Sequence, residues 1–464
     1  MKKYRYILTF SFSIILCISY AFGQNGQLNW DLLDSFRNDF SGKPENKVLM
    51  NAVSSNDIKQ LAINRENLGQ VDKHFSHRVK SAGITDQKST GRCWLFTGLN
   101  VLRAEVIEQK SLDNFSFSQS FNFFYDQLEK SNLFLEGIIA TADKPIDDKK
   151  VEWLFKNPIG DGGQWTGVVD IISKYGVVPS DIFPESYNSE NTRLVSQFIR
   201  RKLKEDGLTL RNMYKDGKKE NELRKTKEIM LGDIYKILAI SLGEPPKEFT
   251  WRYKNKDGNL SALTTYTPKS FYEQFVGIHL EDYIMFMNDP TREFGKLYEI
   301  EFDRHTYEGG NWKYINLEND KIKTFAIASI IDNNAMYFSC DVGKQLDKDR
   351  GFLDVNNYDY GALFGMDFTM DKKQRIQTFE SGSTHGMALV GVDMVDSKPV
   401  KWLLENSWGD SGFDGHLIMT DEWFDEYMFR LVIHKKYVDE ETLKILSKDA
   451  IMLPPWDPMF LPDN

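Results

Sequence analysis

Cysteine is scarce in this chain, with three in 464 residues, and that excludes a disulfide-framed scaffold. Proline (14) and glycine (32) are too few for a collagen-like or low-complexity chain. Beyond the first twenty-odd residues no apolar run is long enough to span a bilayer. Positive charge is also short, with 58 Lys and Arg against 68 Asp and Glu. Such a surface repels phosphate backbones, so nucleic acid is not an expected partner. What the chain does have is 41% hydrophobic and 13% aromatic residues, enough for a packed core. Its length suggests more than one domain.

The N-terminus carries Lys2, Lys3 and Arg5, then an apolar stretch from Ile7 to about Tyr20. Ala21-Phe22-Gly23 follows, with small residues two apart as a cleavage site requires. Residues 1–23 therefore read as a secretory signal peptide, and the mature chain as secreted or periplasmic. Leu16 precedes Cys17 where a lipoprotein would have a small residue, so lipid anchoring and stable membrane association are not expected. Cleavage removes three bases and no acid, taking the net charge from −10 to −13. It leaves Cys93 and Cys340, either as one disulfide or as two thiols with different roles.

Along the chain, Asp31–Phe36 and Ser55–Ile63 read as short helical patches. Leu95, Leu99, Leu102 and Val106 recur at helical spacing and predict a helix from near Cys93 to near Lys110, behind a polar loop from Ile84 to Arg92. Asn157–Thr166 is glycine-rich loop, and Val168–Tyr175 is helix stopped by Gly176. Residues 195–235 form a charged helical stretch, read as a solvated face. Phe325–Ser339 reads as strand. Met387–Val395 and Val400–Asn406 read as a hairpin around the polar turn at 396–399. Three prolines at 454, 455 and 458 keep the tail from being helical.

The chemistry starts from Cys93. A thiol must lose its proton to attack, and a helix N-terminus together with a nearby imidazolium favours that loss. His385 stands at the mouth of the hairpin and Asn406 on the returning strand, so the hairpin brings them close. Asn406 can then accept the imidazole N–H and fix the ring, as the third member of a triad does. Trp408 can shield that bond from water. Acyl transfer also needs donors for the oxyanion, which the side-chain amide of Gln87 and the backbone N–H of Cys93 can supply. His74 and His77, three apart on a helical patch, have no further ligands at metal spacing and read as surface histidines. No metal and no cofactor is expected.

Gln87-Lys88-Ser89-Thr90-Gly91-Arg92-Cys93-Trp94-Leu95-Phe96 resembles the nucleophile segment of papain-like cysteine peptidases, in the form of the bleomycin hydrolase / aminopeptidase C branch. Thr384-His385-Gly386-Met387 and Glu405-Asn406-Ser407-Trp408-Gly409 resemble its histidine and asparagine segments. Asp161-Gly162-Gly163-Gln164-Trp165 resembles the glycine segment whose backbone pairs with substrate. Cys340-Asp341-Val342-Gly343-Lys344 and Trp456-Asp457-Pro458-Met459 also match that branch. The blocks run in family order from about residue 45 to the C-terminus.

The resemblance implies an α+β papain-like fold: a helical half with the nucleophile, a β-rich half with His and Asn, the cleft between them, and large helical insertions. It divides the chain into a signal peptide (1–23), an N-terminal arm (24–80) and a helical half (81–184). An insertion region (185–370), partly returning to the core, precedes the β-rich half (371–450) and an arm that enters the cleft (451–464). It implies peptide substrates bound through Gly162, Gly163 and Trp408, and a homohexamer. It also implies that the terminal carboxylate, on Asn464, holds the substrate's free amino group. The tail departs from the family's small, Gly/Ala-rich end: Phe460 and Pro462 stiffen it, and Asp463 adds a carboxylate. If this arm leaves the cleft open, the enzyme is an endopeptidase or oligopeptidase. A catalytically silent binding protein is the third reading, opposed by the intact Gln87, Cys93, His385 and Asn406. Cys340 is expected to pack as a buried small residue, because a Cys93–Cys340 disulfide would abolish activity.

Overall fold

A computed structural model describes residues 26–457 except 70, 81 and 82, together with Met459. The expected signal peptide at 1–23 and the tail positions Phe460, Pro462, Asp463 and Asn464 lie outside the described residues.

The chain divides into two compact units. The smaller takes the described residues up to Ile63, with 362–364. Its longest helix is Trp30–Ser41, whose first turn is capped by the Asn29 side chain accepting the Leu32 N–H at 2.8 Å. The next, Pro44–Val53, places Pro44 in the first turn, where the missing N–H costs nothing.

In the larger unit, the helix Cys93–Lys110 begins at the nucleophile candidate. The four residues that define its apolar face, Leu95, Leu99, Leu102 and Val106, are all fully buried. The helices Gln119–Ala140 and Trp165–Tyr175 pack against it. The charged stretch forms two helices, Arg193–Lys215 and Glu220–Leu242, separated at Gly217, whose φ of +83° suits glycine. Both pack on Gln119–Ala140 and on each other, and Leu203, Leu210, Ile234 and Leu238 are fully buried, so only one side of each is solvated.

The β half is one mixed sheet of twelve strands among the described residues. The strand His385–Val395 lies between Met336–Cys340 and Lys398–Glu405, antiparallel to both. The hairpin closes more tightly than the sequence suggests. Its turn is Asp396-Ser397 alone, both at positive φ (+49° and +64°), and Lys398 and Pro399 already belong to the returning strand. The helix Cys93–Lys110 packs on His385–Val395. Gly386 lets the two approach: a Cβ there would sit 3.3 Å from Thr97 Oγ1 and 3.2 Å from the Tyr337 hydroxyl.

Two sequence expectations are corrected. The first half of Phe325–Ser339 is helix, not strand: Asn319–Ile331 is helical, and only Met336–Cys340 is strand. Ile322, Phe325, Ala326, Ser329 and Ile330 are the buried face, spaced by three and four, and this period outweighs the β-branched composition. His74 is not on a helix either. Residues 71–75 have no regular structure, and His77–Arg78 is a short strand paired with Gly391 and Val392.

Candidate active site

Arg92 precedes Cys93 and acts as the helix N-cap, its carbonyl accepting from Leu95 and Phe96 N–H at 3.0 Å each. No side chain caps this end, so its partial positive charge falls at Cys93. Arg92 itself is fully buried. Its guanidinium bonds both oxygens of Glu185, at 3.1 and 2.9 Å, between the rings of Phe96 and Phe123. This fixes the entry into the helix.

His385 is the first residue of its strand, in register with Cys340. Its Nε2 lies 2.8 Å from Asn406 Oδ1, just past the end of the returning strand. The Ser407 N–H donates to the same Oδ1 at 2.8 Å and so identifies it as the acceptor. An amide oxygen accepts only, so Nε2 carries the proton and Nδ1 is left to take one. The indole of Trp408 stacks on the imidazole, with centroids 4.7 Å apart and 29° between the planes. Burial pushes the His385 pKa down to about 4 from 6.5, against the smaller opposing effect of the Asn406 bond.

Gln87 joins the asparagine segment from the other half. Its N–H donates to the Ser407 carbonyl at 2.9 Å, and its Oε1 accepts from Ser407 Oγ at 2.6 Å. Its Nε2 donates one N–H to the Thr90 carbonyl at 2.8 Å, and Gln87 is not among the residues lining the cavity that Cys93 and His385 share. The Asn and Gln segments are therefore one hydrogen-bonded unit.

Cys93 and His385 line one cavity of about 460 Å³, together with Gly162 and Gly163. Trp408 is not among its lining residues and covers the histidine instead. Asn464 lies outside the described residues. Cys340 is fully buried, its thiol pushed up by burial, and the structure forms no Cys93–Cys340 disulfide. The sequence reading missed Asp126, Lys130 and His305. His305 Nδ1 lies 2.5 Å from Asp126 Oδ1, and Lys130 Nζ 2.8 Å from Asp126 Oδ2. Lys130 and His305 both line the cavity. No local spacing links positions 179 residues apart.

The cavity, the thiol at a helix start and the His–Asn pair are the apparatus of a cysteine hydrolase. The Peptidase C1-like family matches residues 27–460. Aminopeptidase C of Lactobacillus delbrueckii subsp. lactis is 38% identical over 439 residues, 93% of this chain and 98% of that protein. Bleomycin hydrolase of Mus musculus is 38% identical over 448 residues, 94% of this chain and 98% of that protein. The crystal structure of PepW from Lactobacillus rhamnosis HN001 superposes with a TM-score of 0.90 at 36% identity, over 93% of this chain and 98% of that one. The chain therefore belongs to the Peptidase C1-like family and has its papain-like fold. Within that family it is a cysteine-type aminopeptidase of the bleomycin hydrolase / aminopeptidase C group.

The buried histidine has a measurable consequence. The acid limb of kcat/KM is expected well below the ordinary histidine value of 6.5, toward the His385 value of about 4. The sign follows from burial: the neutral ring resists the added proton, so acidification silences the site late. Trp408→Ala admits water to the ring and is expected to move the limb upward toward 6.5. A kcat/KM profile from acid to neutral pH measures both. A limb already near 6.5 in the wild type would show that Trp408 does not desolvate the ring.

Proposed function

We propose that this chain removes N-terminal residues from peptides through an acyl-enzyme formed on Cys93. The observation that carries this reading is the 2.8 Å His385–Asn406 bond, with His385 and Cys93 lining one cavity. The Cys93 thiol passes its proton to His385 Nδ1, and the thiolate attacks the carbonyl carbon of the N-terminal residue. The Asn406 carbonyl holds the imidazolium in place through Nε2. Negative charge on the substrate oxygen is met by the second Gln87 N–H and the Cys93 backbone N–H. His385 then protonates the leaving amine, and water hydrolyses the thioester.

Gly162 and Gly163 supply the backbone surface along which the substrate lies. The carboxylate of Asn464 anchors the free ammonium. The protein acts on peptides outside the cytoplasm after removal of residues 1–23, and assembles as a homohexamer. The leader composition supports the first of these, and the family resemblance supports the second.

One fluorogenic dipeptide, with a free and with a blocked amino terminus, tests the exopeptidase reading on the mature chain in reducing buffer. Cleavage of the free form only is expected. Comparable cleavage of both would replace it with an endopeptidase, in which the Phe460–Asn464 arm leaves the cleft open.

A further inference from the structure

The glycine segment beside the nucleophile is held by side chains at three consecutive carbonyls. The Gly160 carbonyl accepts from Gln127 Nε2 at 3.0 Å and Lys130 Nζ at 3.2 Å. The Asp161 carbonyl accepts from the indole N–H of Trp94, the residue after Cys93, at 2.7 Å. The Gly162 carbonyl accepts from Lys130 Nζ at 2.6 Å. The Asp161 carboxylate takes Ser196 Oγ at 2.6 Å and the Thr192 hydroxyl.

The opposite side is closed by His305. A Cβ on Gly163 would lie 2.5 Å from its Cε1 and 2.8 Å from the Trp94 ring, and one on Gly167 would lie within 2.6 Å of the imidazole. The imidazole meets Trp94 edge to face at 4.9 Å. Asp126, with no exposed surface, joins Lys130 and His305. Burial alone would raise its carboxyl, but the contacts with Lys130 and His305 outweigh that and hold it below the ordinary range. Asp126 Oδ2 holds the Lys130 ammonium at 2.8 Å while its other N–H groups go to the segment.

We propose that Lys130, anchored by Asp126, is a positioning residue that sets the backbone of Gly162 and Gly163 for pairing with the substrate main chain. This rests on the peptidase reading above and names a part of that site. An extended peptide binds a strand only where the strand's N–H and C=O groups are already aimed. A loop left to wander by an ångström loses much of that binding before any chemistry occurs. Two of the three carbonyls accept from Lys130, which reaches them from the helix Gln119–Ala140 across 30 and 32 residues of chain.

Lys130→Met removes the donors while keeping most of the side-chain volume. The expected result is a rise in KM for the free-amino fluorogenic dipeptide of about tenfold or more, as the charge-assisted bonds to the Gly160 and Gly162 carbonyls are lost, with kcat changed by about twofold or less. Lys130→Arg is expected to recover most of the loss. Alkylation of Cys93 by iodoacetamide, which needs no main-chain pairing, is expected to proceed at the wild-type rate in both variants.

An unchanged KM in Lys130→Met overturns the proposal. So does a parallel loss of kcat and alkylation rate, which would mean general damage to the site. Failure of the wild type to alkylate at Cys93 would instead overturn the peptidase mechanism itself. If Lys130→Met does not fold, Gln127→Leu removes the other donor to Gly160. A raised KM there, with unchanged alkylation, supports the same role, and an unchanged KM overturns it.

Discussion

Cys93→Ala is expected to lower hydrolysis of free-amino dipeptides by at least about 10⁴-fold, with no change in fold or elution volume. The magnitude follows from the covalent step. Without the sulfur no acyl-enzyme forms, and the remaining groups only bind and polarise the carbonyl. The proposed oxyanion donors and the His385–Asn406 pair survive the substitution, so substrate is expected to bind still and a small residual rate over water to persist. Cys93 lies within a buried helix turn whose neighbours Trp94, Leu95 and Leu99 carry the packing, and alanine suits that helix position. Steady-state hydrolysis beside size-exclusion of both proteins measures this. Wild-type activity in Cys93→Ala would sink the mechanism outright. Loss of activity together with a changed elution volume would assign the residue a structural role.

The second large effect is on stability, and it lies one residue away. Glu185→Met is expected to destabilise the chain by about 3–5 kcal/mol, because it strands the fully buried Arg92 guanidinium, which now bonds both oxygens of that carboxylate. Glu185 also accepts from Ser189 Oγ at 2.5 Å, so the loss spreads to the short helix Tyr187–Glu190. The double change, Arg92→Met with Glu185→Met, removes the buried charge together with its partner and is expected to recover most of the loss, since apolar replacement of both members of such a pair is often near neutral. Thermal unfolding and protease susceptibility of the three proteins read the difference. A single variant as stable as the wild type would show that the pair adds nothing and that Phe96 and Phe123 alone fix the segment.

Much of this was legible along the chain because its signals are local. The four residues of the nucleophile helix face recur at three and four, and their burial follows from that period. The hairpin was readable from two apolar runs around a polar turn, although Asp396-Ser397 is tighter than composition suggests. The strand expected at Phe325–Ser339 misled because Ile-Ala-Ser-Ile-Ile carries β-branched residues on a helical period. Period decides there, since one face of Asn319–Ile331 must be buried and the other must not.

The sequence by itself determined the nucleophile's place at a helix start, the hairpin that carries His385 toward Asn406, and the order of the motifs that mark the family. Only the tertiary structure decided what holds these parts in position. The Asp126–Lys130–His305 cluster joins residues up to 179 positions apart, and Gln87 meets Ser407 across 320. Of the two places the sequence offered Trp408, over the histidine or against the substrate, the structure shows the first, with the indole stacked on the imidazole and not among the cavity-lining residues. The physical reason is that periodicity records which face of an element is buried, whereas a buried charge is satisfied by whatever partner the packing of distant elements brings within about 3 Å. That partner leaves no spacing in the chain by which to find it.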